Sequence, residues 1–363
     1  MSVLATIVLC FTALQFLVAL MNLLFAPRLK AGGEAFQGLV SVLIPARNEE
    51  ENLRNLLSDL QNQEVQHIEV LVFDDLSTDG TAEVVAAFAA HDTRFRLIHS
   101  DGLPAGWLGK NYGCHCLSQQ AKGEYLLFLD ADVRVKNGII RRAVNLAQKR
   151  RLGLLSLFPR QRMGSAGEWA AVPVMNFILL TLLPLALVHR SKFVSLSAAN
   201  GQFMLFEASR YFETKPHEQF SNNKVEDIAI ARYFKQKRIP VICTVGDHSL
   251  ECRMYPGFRE AVNGFSKNVI SFFGNSFLLA LLFWLITTLG FLAVSFAFPV
   301  SYLVAYIATV ILTRILVSVT SRQPAGLNIL FLIPQQISLG IVIFRAFINR
   351  IKKEYTWKGR TFS

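Results

Sequence analysis

An uncharged run from Val3 to Phe25 and an apolar block from about Phe277 to Val319 bracket a charged middle. That arrangement limits the folds open to the chain. About 20 apolar residues cross a bilayer as one helix, so the first run is one span, and the second is long enough for two, joined near Pro299. A signal peptide is the alternative for the first run. It lacks a preceding positive charge, and Pro27-Arg28-Leu29-Lys30 follows it where a small-residue cleavage site would stand. An uncleaved anchor over 1–27 is therefore expected, with its basic flank holding the next domain in the cytoplasm.

Membrane segments are also expected over 274–348. The last, Ile329 to Phe347, carries Pro334-Gln335-Gln336 and Arg345 and is open to spanning, re-entering or lying at the interface. If it spans, strict alternation puts the tail 349–363 outside. That tail, Arg350-Ile351-Lys352-Lys353 with Lys358 and Arg360, is basic and belongs inside. The conflict favours a non-spanning segment.

A net charge of +11 comes with clusters at Arg141-Arg142, Lys149-Arg150-Arg151, Arg160, Arg162 and Lys235 to Arg238. In a membrane-anchored chain such clusters face anionic headgroups; no nucleic-acid partner is expected. The five cysteines suggest no disulfide framework in a reducing cytoplasm. Cys114-His115-Cys116 has no second ligand pair at zinc spacing and reads as packed helix.

Within 38–270, short apolar runs alternate with helical stretches: Val40 to Ala46, Ile68 to Phe73, Arg94 to His99 and Tyr125 to Leu129 read as strands. Such alternation predicts an α/β domain with a mostly parallel sheet, whose ligands bind at the carboxyl ends of the strands. Three polar clusters fall there: Pro45-Ala46-Arg47-Asn48-Glu49, Asp74-Asp75, and Asp130-Ala131-Asp132. If the backbone stays extended past Leu129, the carboxylates of Asp130 and Asp132 point the same way and can share a hard divalent cation, Mg²⁺ or Mn²⁺, holding a diphosphate.

Together these residues resemble the family-2 inverting glycosyltransferases with a GT-A fold. The likeness rests on Val40 to Glu50, Phe73 to Thr81, Leu129 to Asp132 and Val225-Glu226-Asp227. It implies a UDP-sugar donor contacted by Pro45, Arg47, Glu49 and Asp75, with Asp74 the substitute for Asp75 at the uracil. It implies Asp132 as metal ligand, Asp130 near metal and ribose, and Asp227 as catalytic base, with Glu226 its neighbouring alternative. A structural reading of Glu226-Asp227 is an acidic helix start. Lys110, in Pro104 to Asn111, is expected at a helix N-terminus near a phosphate or the base, and Trp107 either stacks on a ring or packs in the core. Asn200-Gly201 resemble the acceptor side, with a turn as the plain alternative for Asn200. The Q-x-x-R-W motif of many membrane members is missing; Arg253 or Lys267 is the candidate for its charge near the diphosphate.

A narrower resemblance is to membrane glycosyltransferases acting on carotenoid acids, hopanoids or similar lipids. It rests on Gly106 to Lys110, Arg253 to Tyr255, Gly264 to Asn268 and the tail Thr356 to Arg360, which is also similar to that of ceramide glucosyltransferases. A lipid acceptor is implied. The apolar, proline-interrupted stretch 168–189 reads as an interfacial helix guiding such a lipid, or else as a core helix. The rivals are a processive polysaccharide synthase, a transport protein, and a nucleotide-sugar-binding protein without catalysis.

Overall fold

The computed structural model describes residues 1–30, 36–63, 65, 67–136, 138–352, 355–357 and 360–362. Lys353, Lys358 and Gly359 of the tail lie outside the described residues. The chain forms two compact units. One comprises 1–26, 161–186 and 253–363; the other comprises 27–160 and 187–252.

The second unit is built on a seven-stranded sheet. Its strands are β1 (Val40–Ala46), β2 (Ile68–Asp74), β3 (Phe95–His99), β4 (Tyr125–Leu129), β6 (Leu154–Phe158), β8 (Phe203–Glu207) and β9 (Val241–Val245), in the order β3-β2-β1-β4-β8-β6-β9. Two short strands, β5 (Val133–Val135) and β7 (Arg160–Gln161), fall between them in the sequence, and β10 (Leu250–Cys252) pairs antiparallel with β5. β1 and β4 are buried almost throughout, as their largely apolar sequences require when helices cover both sheet faces. Only β8 runs against the rest, antiparallel to both β4 and β6. This reversal positions the site: the start of β8 lies at the same edge as the carboxyl ends of its neighbours, and Phe203 sits opposite Leu129.

The first unit is helical. Helices Ser2–Phe25, Phe277–Ala297, Val300–Thr320 and Leu332–Ile351 are long and apolar enough to cross a membrane. Residues 161–186 belong here, so the span 38–270 is not one compact body. The reason is local. Helix Pro173–Leu182 is apolar and packs on helix Ser2–Phe25, and Pro184 breaks the chain after it. Proline has no N–H for the carbonyl of Leu180. The buried Asn22 supplies the missing partners: its Nδ2 donates to the carbonyls of Leu180 and Leu183, both at 2.9 Å, and its Oδ1 accepts from the Leu185 N–H at 2.7 Å.

Pro334 does not interrupt the last helix. It occupies the first turn, where a missing N–H costs nothing. That helix lies antiparallel to the first half of helix Phe277–Ala297. The Phe347 ring packs tilted against Phe277 with centroids 4.5 Å apart, Trp284 Nε1 donates to the Gln336 carbonyl at 2.8 Å, and Thr288 donates to Gln336 Oε1 at 3.1 Å.

Candidate active site

The site is assembled from loops at the carboxyl edge of the sheet. After β1 the chain turns at Asn48, whose φ is +52°, and after β2 at Leu76, with φ +55°. These two turns lock together. Arg47 donates to the backbone carbonyl of Asp75, Asn48 Oδ1 accepts from Thr78 N–H at 2.8 Å, and Asp79 Oδ2 accepts from Glu50 N–H at 3.2 Å. Asp79 also accepts from the Thr81 hydroxyl and N–H, the turn-and-cap role expected of an aspartate before a helix. Asp74 is engaged in the same way, accepting from Ser77 N–H at 3.2 Å. Its neighbour Asp75 is buried at the edge beside β1. Pro45 lies one residue before the end of the β1 ladder, opposite Phe73.

Asp130 and Asp132 do not continue an extended strand. Val133 N–H bonds back to the Asp130 carbonyl at 3.4 Å, and the segment is a turn between β4 and β5. The two carboxylates are nevertheless neighbours. Burial, with the charges of Asp130 and Glu49 adding to it, pushes the Asp132 carboxyl up to about 7. A carboxylate crowded by two others favours a cation.

Lys110 joins this cluster to the next. It stands in the first turn of helix Gly109–Gln120, with Nζ 2.8 Å from Asp130 Oδ1 and 3.4 Å from Glu226 Oε1. Burial alone would lower its pKa; the two carboxylates outweigh it and hold the ammonium protonated. Asn111 anchors the helix start by donating to the carbonyls of Phe220, Ser221 and Asn223. Asn223 in turn accepts from Val225 N–H at 2.9 Å, just before helix Glu226–Gln236. The carboxylates of Asp130 and Glu226 are thus tied to one loop. Trp107 packs edge-on to Tyr112 and 5.0 Å from the His115 ring.

Asp227 lies in the first turn of its helix. Its Oδ2 accepts from Gly201 N–H at 3.0 Å and its Oδ1 from Ile228 N–H at 2.7 Å. Burial, then the charge of Glu226, pushes its carboxyl up to about 7 against the opposing pull of Lys110 and these two bonds. A Cβ at Gly201 would stand 2.8 Å from Lys110 Nζ, so a larger residue there would displace the lysine's ammonium. Asn200 shapes the turn, its Oδ1 accepting from Gln202 N–H at 2.9 Å.

Gln202 and Cys252 were not singled out from the sequence. Gln202 Nε2 lies 3.4 Å from Asp132 Oδ1 and 2.9 Å from Cys252 Sγ. The β5–β10 register, Val133 opposite Cys252, brings that thiol beside Asp132, and burial, then the Asp132 charge, raises the thiol's pKa. Arg253 and Lys267 belong to the helical unit. Arg253 forms a bidentate pair with the fully buried Glu168, at 2.9 and 3.1 Å. Burial lowers the pKa of Lys267.

Residues 41–207, which include β1 to β8 of this sheet, match the sequence family Glycosyl transferase family 2. The chain carries a family 2 glycosyltransferase domain. The 4,4'-diaponeurosporenoate glycosyltransferase of Staphylococcus haemolyticus is 28% identical over 92% of this chain and 91% of its own length. That of Staphylococcus aureus strain USA300 is 26% identical over 68% of this chain and 65% of its own. In fold, the chain is similar to the mannosyltransferase PcManGT from Pyrobaculum calidifontis, solved with GDP-Man and Mn2+, at TM-score 0.58 and 15% identity over 96% of this chain and 99% of that one. The fold is GT-A, with apolar helices at both ends of the chain.

The glycosyltransferase domain presents a donor set that suits a divalent cation. Among the described residues no three His, Cys, Asp or Glu side chains form a metal cluster. Two adjacent carboxylates with open positions are what Mg²⁺ uses when diphosphate oxygens and water complete its shell.

Proposed function

We propose that the chain is a membrane-bound inverting glycosyltransferase that moves a hexose from a UDP-sugar to a carotenoid-type lipid acid or alcohol, with its catalytic unit on the cytoplasmic side of the cell membrane. The S. haemolyticus relative, named for a carotenoid acid and aligned over nearly its whole length, supports the acceptor class. The observation that carries the mechanism is Asp227. It is partly buried, it is held by Gly201 N–H, and one lysine connects its helix to Asp130.

Asp75 and the loop Pro45 to Glu49 bind the nucleotide in this reading. Asp132 with Asp130 would hold Mg²⁺ or Mn²⁺, and the bound cation would supply positive charge for the diphosphate leaving group. The acceptor oxygen attacks the anomeric carbon from the face opposite the diphosphate. Its proton passes to Asp227, the new C–O bond forms, and the bond to UDP breaks with the electron pair on UDP. A carboxylic acid carried in apolar surroundings holds its proton more tightly than in water, so acid and alcohol acceptors both arrive protonated. Glu226 is the weaker base candidate because its charge is engaged by Lys110. Asn200 and Gly201 line the acceptor side in this reading.

Asp227→Asn keeps an oxygen that can accept from Gly201 N–H but cannot take a proton. With purified protein, a UDP-sugar panel, Mn²⁺ and lipid extract, we expect UDP affinity within about twofold of wild type and hexosyl-lipid formation down by at least ~100-fold. Transfer at near wild-type rate by this variant removes Asp227 from the role.

A further inference from the structure

Gln202 stands immediately before β8, and its backbone is pinned on both sides. Its N–H donates to Asn200 Oδ1 at 2.9 Å, and its carbonyl accepts from the Asp130 N–H at 3.4 Å. The antiparallel pairing of β8 with β4, Phe203 opposite Leu129, sets this position beside the turn that carries Asp130 and Asp132. The side chain is only 3% exposed. Its Nε2 donates to Asp132 Oδ1 at 3.4 Å and to Cys252 Sγ at 2.9 Å. An amide nitrogen carries two N–H donors, so both have acceptors. Its Oε1 is buried and has no partner.

That imbalance argues against a packing role. An apolar side chain of similar length would fill the position without stranding a buried oxygen, which costs free energy wherever it occurs. The nitrogen end is therefore what the position uses. The opposite orientation of the amide would set Oε1 against a carboxylate, so the donor faces Asp132. A carboxylate offers about four lone-pair sites; one hydrogen bond fixes its rotation and leaves sites for a cation. Outer partners of this kind orient a ligating carboxylate, and losing one weakens metal binding by about 10–100-fold.

We propose that Gln202 is a positioning residue: it fixes the Asp132 carboxylate in the orientation that a divalent cation needs, with Cys252 Sγ holding the amide in place. This role rests on the reading of Asp132 as a cation ligand. Full-length protein in detergent, stripped with a chelator, would be titrated with Mn²⁺ in the presence of UDP, with free Mn²⁺ read from its electron paramagnetic resonance signal. Gln202→Met keeps the length of the side chain and removes the donor. Its Mn²⁺ affinity falls at least about tenfold, while its apparent Tm without metal stays at the wild-type value. A purely structural glutamine would do the reverse, lowering the Tm and leaving the affinity of the folded protein alone. If Gln202→Met does not fold, Gln202→Asn takes its place: it keeps an amide one methylene short of Asp132 and loses affinity in the same way. Wild-type affinity in the variant that folds, or a failure of both to fold, overturns the role. Asp132→Asn separates the two readings. Loss of Mn²⁺ by Asp132→Asn with retention by the Gln202 variant rejects Gln202 alone; retention by Asp132→Asn rejects the cation site and this role with it.

Discussion

Asp227 gives both oxygens to backbone N–H groups, which would ordinarily hold a carboxyl acidic, and yet its pKa stands near 7. Burial is the stronger influence. Facing it are Glu226 on its own helix, Lys110 from the neighbouring helix and the Cys243 thiol of β9, which burial and the Asp227 charge keep protonated. A base works only when ionised. We therefore expect kcat/KM to rise about tenfold per pH unit below about 7 and to level off above it. Rates measured at saturating metal from pH 5.5 to 8.5 check this; a profile that falls with rising pH contradicts a base at this position. The acidic residues of the site were legible in the sequence because short motifs at strand ends carry them. Gln202 and Cys252 were not, since their approach to Asp132 depends on the pairing of β10 with β5 and of β8 with β4, long-range registers that no local pattern encodes.

At the scale of elements, the strand–helix alternation read from Val40 to Leu129 reappears in β1 to β4, with strand ends at nearly the expected residues. Two local expectations changed. Asp130 to Asp132 turn because β5 begins at once, after Asp132, and must leave the main sheet. The stretch 161–186 joins the terminal helices because its apolar face packs on helix Ser2–Phe25. Asn22 is the hinge of that association, and a polar residue in an apolar run gave no sign of its partner 158 residues away. Replacing it as Asn22→Leu strands the carbonyls of Leu180 and Leu183 and the N–H of Leu185. Each buried polar group left unmade costs about 1–3 kcal/mol. We expect the apparent Tm in detergent to fall by several degrees, while UDP affinity, which the proposed function assigns to the other compact unit, stays near wild type. An unchanged Tm would mean that water replaces the side chain and that the break at Pro184 needs no partner.

For the whole molecule, hydropathy alone leaves the last helix undecided, because Leu332–Ile351 has spanning length but a mean hydropathy of 1.3 against 2.5, 2.5 and 2.0 for the other three. The contacts decide its direction. Helices Phe277–Ala297 and Val300–Thr320 are joined by two residues and pack as an antiparallel pair, so Thr320 returns to the end where Phe277 begins. Phe347 meets Phe277 at that same end, and Arg350 reaches the Asn275 carbonyl there. Between Thr320 and Phe347 the chain therefore enters the bundle and leaves on the side it entered. Its upper turn, with Gln335 and Gln336, meets residues 284–288 and stops short of Ala297. A re-entrant segment reconciles the basic tail with the positive-inside rule, which strict alternation through four spans would violate. Non-helical backbone at that depth is tolerated where protein satisfies it, and here the turn bonds back to the preceding helix, Ser321 N–H to the Val317 carbonyl at 2.9 Å and Gln323 N–H to the Ser318 carbonyl at 2.8 Å. The expected outcome is that alkaline phosphatase fused to the C-terminus is inactive and a fluorescent protein fused there is bright, while phosphatase inserted between Phe298 and Pro299 is active. An active C-terminal phosphatase would require the last helix to cross, and would place the arginines and lysines of the tail on the outer face against their charge preference.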